Sequence, residues 1–567
     1  MTILLVDLIV IFSFVVVIPL FLDFFGLSIK LLVISTIGNF LIISTFIITI
    51  IDLLYLLKFK RNNYLLSSLS MTLTISFFLL LEYCFLNDFF DIIYVWRYSE
   101  ATLSFIYKFV AIWAGEAGSI MTWMVFNTII IFFYRLKNQN KNDLVFVFST
   151  IISLLISSIF LIILFIYNPF QTETPILFPN GLGLNSLLRS PFMIWHPLFT
   201  FIAYAVFLIP FTVSIIRVLK PKLSLQNPYQ KSFYDFSLKF GWLVLTLSIG
   251  LGAYWAKIAL SWGRYWGWDP VEIVSLIPWF FSTAYFHTIT FKKNNRKLVK
   301  INVILIFLSI IFSTLITRGG GLTSLHAFTG ESNLIIWALI VGLIVVVFSL
   351  YVIYETINSL SENYKKTRLF LDYLSYLCLF MLAFVCIFGL VISPLTYFLS
   401  LFSNINILYV GTDYFIITTL MIASVLAASL VFCSLYGRYK IKVIALILFI
   451  GGIVQTILSF VIFFTSGVWI NPLISIFIIA LLSSILKLLK DFDKNTDLKQ
   501  YFRINSKTYV HIGLSLILIG TLIVPGIWIF QDIFYISGFL FFMIGIIPSI
   551  FIFFFLRRNK LKNKSIE

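Results

Sequence analysis

Apolar runs of about 20 residues, each long enough to cross a bilayer as a helix, recur along nearly the whole chain. Of the 567 residues, 61% are hydrophobic and 11% are charged, which excludes an ordinary soluble domain. The alternation of a membrane β-barrel is not visible, and a lipid-exposed strand would leave its backbone groups without partners. The sequence therefore predicts an all-α, polytopic transmembrane helix bundle of 15 to 16 spans. The predicted spans are 2–22, 32–57, 64–86, 118–134, 144–167, 195–216, 238–258, 271–290, 301–317, 332–355, 369–392, 415–436, 443–466, 472–486, 508–527 and 533–556.

The basic residues lie between the apolar runs, in alternate gaps. A net charge of +17 could by itself indicate a nucleic-acid or anionic-lipid partner. With both termini inside, however, 33 of the 40 Lys and Arg residues fall on the inner face and seven fall outside. We interpret the basic excess as positive-inside topology and expect a membrane-embedded protein without a nucleic-acid partner. The seven outer basic residues are Lys30, Arg97, Lys108, Arg189, Lys257, Arg264 and Arg318.

Four longer segments are predicted to face outward, at 87–117, 168–194, 259–270 and 393–414, together with the short loop 318–331. The inner loops are short and basic, and they contain no phosphate-binding loop of the GxxxxGK[ST] kind. An ATP-driven pump is therefore disfavoured, and extracytoplasmic chemistry is expected on the outer segments.

The chain has four histidines, and the predicted topology sorts them into two pairs by depth. His196 and His326 lie at the outer ends of spans, whereas His287 and His511 lie within spans near the inner ends. His287 follows Glu272 by about 22 Å of helix, at 1.5 Å per residue. Two imidazoles at one depth could bind one haem iron from both faces. A lone transmembrane histidine is more often a helix–helix hydrogen bond or a proton-path residue, so both interpretations stay open, while a copper or di-metal site is disfavoured.

Residues 262–279, here called the aromatic segment, begin with Trp-Gly-Arg-Tyr-Trp-Gly-Trp-Asp-Pro-Val-Glu. So many aromatic rings near an interface are ordinarily an aromatic belt. Here Gly263 and Gly267 leave room for a flat ligand, and the rings offer stacking faces for a porphyrin. Asp269 and Pro270 are typical of an N-cap followed by the first helical residue. The segment is expected beside the two outer histidines, with basic side chains for haem propionates at Arg189, Lys257, Arg264 and Arg318.

The aromatic segment resembles the tryptophan-rich WWD motif of the haem-handling proteins of System I cytochrome c maturation. Residues 184–197, 317–328 and 510–513 further resemble the CcmF type, and 87–123 is similar to that family's first outer segment. A CcmC-type protein has far fewer spans and no resident transmembrane haem. The chain departs from the family pattern at Tyr265, which replaces the usual second aromatic, at Gly267 before the last Trp, and at Ile273, where Asn often follows the Glu. It also has Glu116 and Ala117 where the family commonly has His-Glu.

The resemblance implies a role for each histidine. His196 and His326 match the outer pair that ligates incoming haem, a transient substrate, and His287 and His511 match the pair that holds a resident haem b. The implied activity is a cytochrome c haem lyase, a subunit of a complex that attaches haem covalently to the CxxCH motif of apocytochrome c. No acid–base catalytic residue is assigned. The other expected haem contacts are Trp262, Trp266, Trp268, Asp269, Arg264 and Arg318.

The resemblance also implies partners: apocytochrome c, a CcmE-like haem chaperone, a CcmH-like thiol-reducing partner and a quinol electron donor. We expect N-terminal spans at 1–60, the first one extra to the family, a CcmF-like domain at 61–530, and a last span with a basic inner tail at 531–567. Frequent Phe (64 residues), Ile, Lys and Asn indicate an A+T-rich genome, which favours a mitochondrial inner membrane over a bacterial one.

Two other functional classes remain open at this stage. A haem transporter or exporter without ligation activity would use the same aromatic segment. An ion-translocating respiratory subunit would need several intramembrane acidic and basic residues, and the sequence offers few beyond Glu82 and Asp52.

Overall fold

The computed structural model describes residues 27–136, 143–173, 178–260, 264–288, 296–318, 335–363, 367–403, 405–466, 473–492, 498–522 and 530–546. In these ranges the chain is almost entirely α-helical, and the β-structure consists of isolated bridges such as that between Ile92 and Thr172. Eleven of the described helices are long and apolar enough to cross a membrane. The predicted all-α, polytopic transmembrane fold is confirmed.

Within the described residues every predicted span from 32–57 onward coincides with a helix, whereas the span predicted at 2–22 lies outside them. Helices α9, α15, α16 and α17 are shorter, less apolar or more charged than the other spans. The helices are α1 (Leu27–Phe59), α2 (Tyr64–Leu86), α3 (Ile93–Tyr98), α4 (Phe105–Ala111), α5 (Glu116–Arg135), α6 (Leu144–Tyr167), α7 (Phe192–Leu219), α8 (Pro228–Ala259), α9 (Pro270–His287), α10 (Arg296–Arg318), α11 (Ile335–Asn363), α12 (Thr367–Ser400), α13 (Thr412–Leu435), α14 (Ile441–Ser466), α15 (Ile474–Phe492), α16 (Leu498–Leu522) and α17 (Phe530–Ile546).

The chain divides into two compact units, of which the first comprises residues 1–255 and 306–338. Within it α2 packs against α1 and α5, and α6 packs against α1, α5 and α7. A fully buried ion pair joins Arg135, at the end of α5, to Asp52 on α1. Arg135 also donates to the Asn63 carbonyl at 3.0 Å, while the Asn63 side chain caps α2. Because an unpaired charge inside an apolar bundle is costly, this network holds the three helices in register.

The second unit comprises residues 256–305 and 339–567. Helix α12 packs against α9 and α13, and α15 packs against α13, α14 and α16. Aromatic side chains fill the contact between α9 and α12, where the rings of Phe281 and Phe380 have centroids 5.0 Å apart. This packing positions both ends of α9, with the aromatic segment at its start and His287 at its end.

Candidate functional site

His196 lies one turn into α7, and a backbone carbonyl orients its ring. Its Nδ1 lies 2.8 Å from the carbonyl oxygen of Ser248 on α8. Since a carbonyl can only accept, Nδ1 carries the proton and donates it, and the lone pair lies on Nε2. The Thr200 and Ser248 hydroxyls donate to the His196 carbonyl at 2.9 and 3.0 Å. This is the tautomer and the support that a haem-ligating imidazole needs.

Gly252, one turn after Ser248 on α8, makes room for the His196 ring. A Cβ atom at Gly252 would lie 2.6 Å from Cε1 and 2.9 Å from Nδ1 of the imidazole. Side-chain carbon atoms do not approach so closely, so a larger residue here would displace the ring. Neither Gly252 nor Ser248 stands out in the sequence, where both are ordinary members of a predicted span.

The outer segments of the first unit support the start of α7. The Trp113 indole donates to the carbonyl of Met193 at 3.0 Å, three residues before His196. Arg189, predicted as a propionate ligand, forms an ion pair with Glu100 at 2.9 Å. The region that carries His196 is therefore fixed by residues of both 87–117 and 168–194.

A buried tyrosine organises the turn before α5. The Tyr94 hydroxyl accepts hydrogen bonds from the amides of Gly115 and Gly118, both at 3.1 Å, and donates to the carbonyl of Ile112 at 2.9 Å. Neither glycine has space for a Cβ atom, because Gly115 lies against the Tyr98 ring and Gly118 against the Ile112 carbonyl. The turn places Glu116, the residue at which the chain departs from the family, at the start of α5.

Arg318, predicted as a propionate ligand, ends α10 among groups of the first unit. Its guanidinium interacts electrostatically with Glu116 and with the hydroxyls of Tyr94, Tyr98 and Tyr204. Burial raises the pKa of Tyr94 and Tyr98, so both remain neutral phenols at physiological pH. Glu116 is therefore the negatively charged group among these partners of Arg318.

In the second unit, the described part of the aromatic segment ends in a capping box. The Asp269 side chain accepts from the Val271 amide at 3.1 Å, and Pro270 follows in the first turn. The Glu272 carboxylate accepts from the amides of Gly267 at 2.8 Å and Asp269 at 3.3 Å. The helix start predicted at Asp269 and Pro270 is confirmed, and Glu272 ties the tryptophan-rich backbone to it.

The two described tryptophans of the segment's first part are held in a defined arrangement. Trp268 has a left-handed backbone (φ 58°), and its ring is nearly parallel to that of Phe415 on α13, with centroids 6.4 Å apart. The Trp266 ring meets Trp268 edge to face at 6.2 Å. The Trp266 Nε1 is shielded from solvent without an acceptor in the described part of the chain. A ligand carboxylate would supply one. Arg264 is exposed, and Trp262 and His326 lie outside the described residues.

The structure brings His287 and His511 together in the second unit. His287 ends α9, and its Nδ1 lies 3.2 Å from the carbonyl of Thr283, one turn earlier, so that Nε2 carries the lone pair. His511 lies on α16, close enough to His287 for an electrostatic interaction between the two imidazoles. Across the described ranges no group of three or more His, Cys, Asp or Glu side chains could hold a metal ion. Haem iron needs only two axial ligands, so a search for groups of three or more does not bear on a histidine pair.

Residues 113–326 match the family model described as cytochrome C assembly protein. The probable cytochrome c-type biogenesis protein NrfE of Escherichia coli (strain K12) is 30% identical over 252 residues, covering 44% of this chain and 45% of that protein. The cytochrome c-type biogenesis protein CcmF of the same organism is 31% identical over 258 residues, covering 45% and 39%. A solved structure titled "Cytochrome c Heme Lyase CcmF" has a TM-score of 0.63 at 17% identity, covering 88% of this chain and 77% of that chain.

Residues 113–326 are thus similar to the cytochrome c assembly proteins, and the helical membrane fold resembles that of the solved structure. The matched stretches span less than half the length of these two curated relatives. Over those stretches the chain is similar to cytochrome c-type biogenesis proteins of the NrfE and CcmF kind.

Proposed function

We propose that this chain is the haem lyase component of cytochrome c biogenesis. It holds haem at the outer membrane face and promotes its attachment to the CxxCH motif of apocytochrome c. The observation that carries the proposal is the orientation of His196 by the Ser248 carbonyl, within a domain that matches the cytochrome c assembly proteins. That hydrogen bond gives the imidazole the tautomer of an iron ligand.

In this proposal His196 and His326 are the axial ligands of the incoming haem, the substrate. The rings of Trp262, Trp266 and Trp268 provide the stacking surface. The haem propionates would be bound by Arg264, Arg318 and the Trp266 indole N–H. Asp269 holds the aromatic segment at the start of α9 as its N-cap. Each thioether bond forms when a cysteine S–H adds across a haem vinyl C=C, with sulfur on one carbon and hydrogen on the other. No oxidant is needed, so the protein contributes positioning and redox control.

We further propose that His287 and His511 hold a resident haem b. Support comes from their proximity and from the backbone carbonyl that orients His287. When bound, this haem supplies one-electron redox chemistry. The role of the protein is to fix two imidazoles on α9 and α16, and the electron donor expected from the family resemblance is a quinol.

The partners proposed from the resemblance are apocytochrome c, a CcmE-like haem chaperone and a CcmH-like thiol-reducing partner. We propose that the haem-handling part extends over 61–530, beyond the matched 113–326. The multi-pass membrane location is clear from the helices, and the two curated relatives named above are bacterial. The A+T-rich composition supports a mitochondrial inner membrane for this chain, in which the outer face is the intermembrane space.

Reconstitution tests the lyase activity directly. Purified protein is supplied with a haem-loaded chaperone, an apocytochrome c with a CxxCH motif and a thiol reductant. The expected product is a cytochrome that keeps its haem through acidified-acetone extraction, with no product from His196→Ala. Haem release from the chaperone without covalent product would favour a transporter. Purified protein that neither carries nor accepts haem would favour an ion-translocating subunit.

A further inference from the structure

One carboxylate in the second unit binds two side chains beside the aromatic segment. Asp532, in the first turn of α17, accepts a hydrogen bond from the Tyr265 hydroxyl and forms an ion pair with the Lys257 ammonium through the same oxygen, Oδ1. The Lys257 side chain is 10% exposed, so Asp532 neutralises a cation that is largely removed from solvent. Asp532 and Lys257 are 275 residues apart in the chain.

Tyr265 is held on its ring as well as at its hydroxyl. Its ring stacks on that of Tyr535, one turn after Asp532, with centroids 3.8 Å apart and planes at 7°. The Lys257 ammonium lies 4.5 Å from the Tyr265 ring centroid, within the range of a cation–π interaction. Tyr265 as a whole is 2% exposed.

The backbone on either side of Trp266 is thus fixed from two directions. Tyr265, immediately before it, is bound by Asp532 and Tyr535 of α17, and Gly267, immediately after it, donates its amide to Glu272 of α9. The Trp266 side chain, whose Nε1 is shielded from solvent, is therefore attached to backbone that is held on both sides.

We propose that Asp532 is a positioning residue for haem binding, which acts through Tyr265 and sets the location of the Trp266 and Trp268 rings. Lys257 belongs to this support and is not a propionate ligand. The haem part of this inference rests on the proposed function. The mechanical part, that Asp532 holds residues 265–269 in place, is independent of the proposed function.

Two measurements on the detergent-purified full chain test the two parts separately. Amide hydrogen exchange of 264–272 in protein without added haem reports on the support, and a Soret titration with added haem reports on affinity. Asp532→Asn removes the negative charge that neutralises Lys257. Tyr265→Phe removes only the hydroxyl, so this second variant still tests the proposal if Asp532→Asn folds poorly. Asp532→Glu should restore much of both readouts. Asp491→Asn is the matched control, because it breaks another partly buried ion pair of the second unit, with Arg438.

The expected result is faster exchange in 264–272 and about 10-fold weaker haem binding in Asp532→Asn, with a smaller change in Tyr265→Phe and none in Asp491→Asn. Unchanged exchange in both variants overturns the support by Asp532. Faster exchange with unchanged haem affinity overturns the positioning role and leaves the proposed function intact. Wild-type protein that binds no haem refutes the proposed function, and with it the positioning role, while the exchange rates still decide the mechanical part.

Discussion

Replacement of Gly252 by alanine tests whether the geometry around His196 serves haem ligation. The new Cβ would lie 2.6 Å from the imidazole Cε1, where ordinary contacts begin near 3.4 Å, so the ring must move by about 0.8 Å or more. The same displacement stretches the Nδ1 to Ser248 oxygen distance from 2.8 Å to about 3.6 Å, which is no longer a hydrogen bond.

The effects on the free energy of unfolding offset one another only in part. The lost hydrogen bond costs about 1 kcal/mol and the overpacking about 1 to 3 kcal/mol, whereas alanine in place of glycine within α8 contributes up to about 1 kcal/mol. The free energy of unfolding should therefore fall by about 1 to 3 kcal/mol. Loss of the orienting carbonyl should weaken haem binding about 10- to 100-fold, which is a far more specific effect.

The assay is a Soret titration of the purified variant, paired with thermal unfolding in detergent. Gly241→Ala is the matched control, because its Cβ would lie 2.9 Å from the Phe207 ring, also between α7 and α8 but distant from His196 along both helices. It should cost comparable stability and leave haem affinity unchanged. Wild-type haem affinity in Gly252→Ala would refute the assignment of Ser248 and Gly252 to the support of His196. An equal loss of haem affinity in Gly252→Ala and Gly241→Ala would refute it as well.

Other residues give further predictions. Asp52→Asn leaves the Arg135 guanidinium buried without its counter-ion and should lower the free energy of unfolding by about 3 to 5 kcal/mol. Thermal unfolding measures this loss, and an unchanged stability would mean that water reaches the ion pair. Asp269→Ala should cost about 0.5 to 2 kcal/mol through loss of the α9 cap, whereas Asp269→Asn retains an acceptor and should be near neutral. Tyr94→Phe should cost about 1 to 3 kcal/mol by removing three hydrogen bonds. Because burial raises the pKa of Tyr94, the folded state retains a proton that the unfolded state releases near pH 10, so wild-type stability should fall above about pH 10 and Tyr94→Phe should lack this part of the decline.

Much of the helical framework could be predicted from local sequence, because hydropathy over some 20 residues reports directly on the membrane. The limits of the helices could not, since hydropathy marks only the part within lipid. Helix α16 begins at Leu498, ten residues before the predicted span at 508, because its Lys- and Arg-containing first turns are good helix formers outside the apolar core. Helix α12 likewise continues to Ser400, into a segment predicted as an outer loop.

The capping of α9 was also predictable, because an N-cap is a local feature of Asp269 and Pro270. Charge topology predicts only that His287 and His511 lie at a similar depth, and their assignment to one haem remains a prediction from the family resemblance. The supports of the site could not be predicted. The contact of Asp532 with Lys257 and Tyr265, and that of Ser248 with His196, join residues distant in the chain, and no local pattern marks their side chains. Candidate haem ligands are recognisable by residue type, whereas the groups that would orient them include serines, glycines and backbone carbonyls.

The central claim is that two histidine pairs serve two different haems. It is tested most directly by the reduced-minus-oxidised visible spectrum of the membrane-extracted protein, compared among wild type, His287→Ala, His511→Ala and His196→Ala. We predict a six-coordinate b-type haem in the wild type, retained in His196→Ala and lost or shifted in both inner variants. A wild-type protein without haem, or a spectrum that His287→Ala and His511→Ala leave unchanged, would contradict the account.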